Sequence, residues 1–311
     1  MRAHLHGARG AADPNIDSLR LERPQSASRT SPAMKTQMSV AHRALRALVV
    51  AAVALAAAPL GAHDMWIEPA SFWPDAGQIV GVRLRIGQEL LGDPLPRDPR
   101  LIREFVVDDG TERKALVGRD GADPAGFFRV AAPGLLIVGY HSNPSAIDET
   151  AEKFNQYLKE EGLDAVAALR AKRGETGNKT REIFSRCAKS LVMSGSPNAA
   201  QGDRALGFTL ELIAERNPYT VRGDEDLPVR VSYENRPLSG TLVVAMNRSN
   251  PAQKLAARTD NAGRVRFRLK TGGMWLIKAV HMEAAQAGSG AEWASYWASL
   301  TFELKEPGRG Q

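Results

Sequence analysis

From Gln78 to Ile86 the chain alternates apolar and polar residues, the period-2 pattern of a half-buried strand. Three short apolar runs follow: Phe105-Val106-Val107, Lys114-Ala115-Leu116-Val117 and Phe127-Phe128-Arg129-Val130. Asp-Gly and Asp-Pro turn signals separate them. Gly134 to Tyr140 is continuously apolar and predicts a strand buried on both faces. At 147 the spacing changes. Phe154, Tyr157, Leu158 and Leu163 share one helical stripe, and Gly162 is placed to break that helix in two. Lys179 to Leu191 predicts a second helix, with Ile183, Phe184, Cys187 and Leu191 on one side, and 173–179 reads as a polar loop. Strand character resumes over Leu206–Ala214, and Asn217-Pro218 marks a boundary. Beyond it, 227–233, 240–246, 264–269, 275–282 and 296–304 read as strands. They are linked by turns at 234–237, 259–263 and Gly272-Gly273. In the Thr259–Gly263 loop an aspartate can bond the backbone two residues on, and a glycine supplies a positive φ.

These elements predict a mostly β protein with two sandwich-like domains and a helical insertion between them. The expected boundaries are an N-terminal β domain over 63–146, the insertion over 147–205, a C-terminal domain over 206–304 and a tail over 305–311. The last domain is similar to small Greek-key domains of the immunoglobulin-like, carboxypeptidase-regulatory or transthyretin-like type, a likeness that implies fold without function.

Ahead of these elements lies a different pattern. Arg43 and Arg46 precede an apolar run from Ala47 to Ala58, and Leu60-Gly61-Ala62 has the small residues of a cleavage site. Residues 34–62 therefore read as a secretory signal peptide, and residues 1–33, polar and rich in Arg, Pro and Ser, either as sequence upstream of a true start at Met34 or Met38 or as a disordered leader. The expected location is the periplasm.

Removing this segment changes the charge argument. The whole chain is +6, but residues 1–62 hold eight of its 41 bases and three of its 35 acids. From His63 onward, 33 bases face 32 acids. The basic excess that would suggest nucleic acid leaves with the leader. No later run of apolar residues is long enough to span a bilayer, so no membrane span is expected after cleavage. Cys187 is the single cysteine. No internal disulfide can form, and the fold must rest on its apolar core.

Cleavage after Ala62 makes His63 the first residue. A terminal histidine carries a free α-amine and an imidazole on one residue, and together they can chelate one transition-metal ion. The processed chain has two further histidines, His141 and His281, both at predicted strand ends. Strand ends of adjoining sheets meet at one rim of a sandwich. The sequence therefore predicts an all-nitrogen site of His63, His141 and His281 suited to Ni(II), Co(II) or Cu(II). Asp64 would serve as a carboxylate ligand or orient His63. A histidine at a strand end can equally be an ordinary core or surface residue.

Other features carry less. Cys187 reads as a core thiol, and the aromatics Trp66, Phe72, Trp73, Trp275, Trp293, Tyr296 and Trp297 as sandwich core and rim. Glu160-Glu161 reads as a solvated helix face. Catalytic triads, Walker loops, dinucleotide fingerprints and Cys-x-x-Cys are absent from the sequence.

The segments HDMWIEP, GYHSNPS, FNQYLKEEGLD, REIFSRCAKSLV, TDNAGRVRFRLKTGGMWLIKAVHM and SYWASLTFEL together resemble a bacterial family of periplasmic proteins with a domain of unknown function. Members of that family are associated with nickel or cobalt uptake. The resemblance implies an accessory protein that hands Ni(II) or Co(II) to an inner-membrane transporter, a binding protein rather than an enzyme. Two alternatives stand beside it. One is a copper-dependent oxidative enzyme using a terminal histidine brace. The other is an envelope binding or structural protein with no metal.

Overall fold

The computed structural model describes residues 63–222 and 224–306. The expected leader, signal peptide and cleavage site lie outside the described residues, as does most of the tail.

The first half contributes β1 (Asp64–Pro69), β2 (Ile79–Gln88), β3 (Leu91–Pro94), β4 (Ile102–Asp108), β5 (Arg113–Ala115), β6 (Gly126–Arg129), β7 (Gly134–Ser142) and β8 (Ser145–Glu149). Two helices follow, α1 (Ala151–Glu160) and α2 (Asp164–Lys172), then β9 (Thr180–Ser194) and β10 (Leu210–Ala214). The rest comprises β11 (Asp226–Tyr233), β12 (Arg236–Pro237), β13 (Leu242–Asn247), β14 (Asn250–Arg258), β15 (Arg264–Arg268), β16 (Gly273–Ala284) and β17 (Trp293–Leu304).

The protein is mostly β, with sandwich-like packing of sheets, as the hydrophobic pattern predicts. The path of a large nine-stranded sheet runs β14-β13-β16-β17-β9-β7-β4-β5, with β8 pairing β9. A small sheet of β1, β2, β3 and β6 covers one face. Its Met65, Ile67, Val82 and Leu84 pack on Val138, Tyr140, Ala188 and Val192 of the large sheet. A second small sheet, of β10, β11, β12 and β15, covers the opposite face. There Leu210, Leu212, Val229 and Phe267 meet Ile137, Leu191, Ile277 and Leu300. Alternate residues of each central strand serve the two cores, which makes β7 buried along nearly its whole length.

β9 corrects the sequence reading. The expected helix over 179–191 is a strand at the centre of the sheet, antiparallel to β7 and parallel to β17. Ser185, Cys187, Lys189 and Leu191 face one core, and Phe184, Arg186, Ala188 and Ser190 the other. A strand buried on both faces loses its period-2 contrast and mimics helical spacing. The helical insertion is therefore confined to α1 and α2. Their Phe154, Tyr157 and Leu158 pack on Val280, Trp293 and Trp297, on the same sheet face as β1. Gly162, at φ +64, breaks them apart as expected. In the 259–263 loop the Asp260 carboxylate accepts the Ala262 and Arg264 amides (2.9 and 2.8 Å), and Gly263 has φ +74. None of the described helices is long and apolar enough to cross a membrane.

Candidate functional site

His63 immediately precedes β1, which lies across β9 and β17 on the helical side of the large sheet. Arg186 of β9 donates from Nη1 to the His63 carbonyl (2.8 Å), fixing the strand's start. The imidazole Nδ1 of His63 is buried and makes no hydrogen bond. Such an atom forgoes a bond that water would have given it.

Beside it, Asp64 and Glu161 hold one ammonium between them. Lys278 Nζ donates to Asp64 Oδ1 and to Glu161 Oε1, each at 2.7 Å. Burial alone would pull the Lys278 pKa down, but the two carboxylates outweigh it and hold the lysine charged, above its usual value. A cavity of about 280 Å³ opens here, with Asp64, Glu89, Glu160, Glu161, Met246 and Lys278 among its lining residues. Deeper under the helices, the Glu182 carboxylate accepts hydrogen bonds from Ser295 and from the Tyr157 hydroxyl (3.3 Å). Trp297 donates to Ser295 (3.1 Å) and stacks on Tyr157. Burial pushes Glu182 up to about 7, against the pull of those two hydroxyls. Arg186 is lowered to about 10 by burial, offset by Asp64 and by Glu182.

The structure does not bring the three histidines together. His141 lies opposite Cys187, Cys187 opposite Ala298, and Ala298 opposite Ala279, two residues before His281. Three inter-strand steps of about 4.8 Å, about 14 Å in all, therefore separate the His141 and His281 strands. Both histidines face the β10–β11 sheet, whereas His63 meets Arg186 on the other face. A shared rim fails because the two sandwiches use opposite sides of one sheet. His141 packs on Phe208, with Nε2 3.4 Å from Thr209 Oγ1, and burial aided by the Arg103 charge lowers it to about 4. His281 lies against Tyr233 and Tyr296, and burial lowers its pKa too. β16 also runs on past His281 to Ala284, so this histidine does not end its strand. Among the described residues, no group of three or more His, Cys, Asp or Glu is arranged to hold a metal ion. Asp64 follows His63 in the chain, and its carboxylate is engaged by Lys278.

Sequence reasoning missed Arg186, Glu182 and Lys278, and it read Glu161 as part of a solvated helix face, whereas this carboxylate is buried and bound to Lys278. The signal for Lys278 was present, a lone lysine inside the apolar strand Trp-Leu-Ile-Lys-Ala-Val. Arg186 and Glu182 were hidden by the helical reading of β9. Cys187 is a buried thiol, raised to about 12 by burial, as its core reading requires.

Fold and site together define a class: a three-layer β protein with a helical cap and a buried charged cluster at the start of its first strand. Residues 60–283 match the family described as "Domain of unknown function (DUF4198)", and the chain belongs to that family. No curated protein matches it. Among solved structures it is similar to the "D0-D1 domain of Intimin" at 13% identity and a TM-score of 0.18, covering 77% of this chain and 97% of that one. It is also similar to a "tetra-tandem repeat in extending region of large adhesion protein" at 10% identity and a TM-score of 0.19, covering 77% and 49% respectively. Likenesses this faint carry no argument.

Proposed function

We propose that the processed protein is a periplasmic binding protein for a divalent transition metal, accessory to uptake, with His63 as its first residue and principal ligand. The metal is cargo, Ni(II) or Co(II), and the receiver an inner-membrane transporter. The observation that carries this reading is the unpartnered, buried Nδ1 of His63. A terminal histidine chelates through its α-amine and Nδ1, because those two nitrogens close a small ring around one ion. The imidazole nitrogen that chelation needs is thus the one the fold leaves unused.

The surroundings suit a cation. The cavity that begins at Asp64, the residue after His63, sets Asp64, Glu89, Glu160 and Glu161 against Lys254 and Lys278, four carboxylates to two ammoniums. Asp64 stays outside the ion's coordination, since its own carboxylate serves Lys278. His141 and His281 take no part, being on the far face of the sheet. Nitrogen ligands bind Cu(II) more tightly than Ni(II) on intrinsic affinity, so delivery of nickel or cobalt relies on which metal is available.

The test is calorimetric titration of the processed protein with Ni(II), Co(II) and Cu(II), beside His63→Ala and a His141→Ala, His281→Ala double variant. Binding of one ion, lost in His63→Ala and kept in the double variant, supports the reading. Equal affinity in His63→Ala overturns it.

A further inference from the structure

A second, larger cleft than the one beside Asp64 lies elsewhere, between two strand edges. Among the described residues, β14 pairs only with β13, and β15 only with β11. A cleft of about 850 Å³ runs between them, with an apolar floor that includes Leu255, Phe267 and Trp275. Its charge is one-sided: Lys254, Arg266, Arg268 and Lys270 against Asp226. Arg268 is paired with Asp226 (3.0 Å) and Lys254 with Glu89 (2.9 Å). Arg266 and Lys270 make no ion pair among the described residues.

The backbone of β15 is open along this cleft. Val231 of β11 donates to the Gly263 carbonyl (2.7 Å). Antiparallel ladders alternate inward and outward backbone pairs, so Val265 and Phe267 bond to β11 while Arg264, Arg266 and Arg268 point away. Arg266 lies opposite Pro228, which has no N–H to give, as an outward pair requires. The Arg264 carbonyl is taken by the Asp260 amide (2.9 Å). The N–H and C=O groups of Arg266 and Arg268 remain to be paired.

We propose that the cleft between β14 and β15 receives an extended peptide segment of alternating acidic and apolar residues, which adds as a strand to the open edge of β15. The alternation follows from the register. Side chains on the Val265–Phe267 side of the added strand meet the apolar floor, and those on the other side meet Arg266 and Arg268. A second copy of this chain is a poor occupant, because its own β15 edge would bring arginine onto arginine. The segment belongs to a partner of opposite charge. This site is independent of the metal reading, and the linings of the two cavities share only Lys254.

The test uses a capped synthetic peptide of alternating glutamate and valine, and a second of the same composition with the glutamates in one block. Calorimetry gives affinity, and NMR amide exchange gives the mode. The alternating peptide should slow exchange at Arg266 and Arg268 at least about tenfold, leaving Val265 and Phe267, already bonded to β11, unchanged. Reversing two charges with R266E and K270E should weaken binding by about tenfold or more. Arg266→Gln should weaken it less than Arg266→Pro, which also removes the edge donor. Equal binding of the block peptide, or unchanged exchange at Arg266 and Arg268, would overturn the proposal even if the proline variant failed to fold.

Discussion

Replacing Glu182 by glutamine should change how stability depends on pH. This carboxyl is 3% exposed, enclosed by Tyr157, Ser295 and Trp297, and burial pushes it from 4.5 up to about 7. The native state therefore holds the proton more tightly than the unfolded chain does. Between about pH 4.5 and pH 7 the folded form binds more protons, so this group's contribution to stability falls as pH rises through that window and is flat above it. At 1.36 kcal/mol per pH unit, the move from 4.5 to about 7 corresponds to about 3 kcal/mol. Glutamine is neutral throughout, and its carbonyl can still accept from Ser295 and Tyr157. Urea unfolding of Glu182→Gln and wild type should give nearly equal stabilities at pH 4. At pH 8 the variant should be more stable by up to about 3 kcal/mol. The comparison cancels every other titrating group. A difference that is constant with pH, or a variant less stable at pH 8, would refute the argument that Glu182 is ionised there at the protein's expense.

Lys278→Met should destabilise the fold by about 3 kcal/mol at pH 7, because Asp64 and Glu161 would then be left buried without their counter-charge. Chemical denaturation measures it, and pairing the change with Asp64→Asn should recover part of the loss. Gly263→Ala should cost at least about 1 kcal/mol, since φ is +74 and an added Cβ would sit 2.5 Å from the Val231 carbonyl oxygen. A thermal melt indistinguishable from wild type would show that the 259–263 loop yields without strain.

Much of the fold was legible in the pattern of apolar positions, for reasons particular residues make plain. β2 keeps one polar face, so Arg83 and Arg85 alternate with Val82 and Leu84 and mark it as a strand. The Asp260–Gly263 turn and the Gly162 break are local chemistry, written in the residues themselves. β9 was misread because both its faces are buried, and its polar members, Glu182, Arg186 and Lys189, are satisfied by partners far away in sequence. Arg186 reaches His63, and Lys189 is enclosed by Asp203 (2.8 Å) and Glu211 (3.8 Å). The site was legible only at its first two residues. His63 and Asp64 are adjacent in the chain, whereas Lys278 and Glu161 join them by long-range folding. The same blindness to which face a strand presents placed His141 and His281 beside His63.

The most direct measurement compares the processed protein with a variant that carries one extra glycine before His63. Every side chain is retained, and only the α-amine is moved away from the imidazole by conversion to a peptide bond. Terminal chelation predicts tight one-to-one binding of Ni(II) or Co(II) by the processed protein, weakened at least about a hundredfold, some 2.7 kcal/mol, by the added glycine. Equal affinity in the two proteins would contradict it, and would leave the unpartnered Nδ1 of His63 without the role assigned to it here.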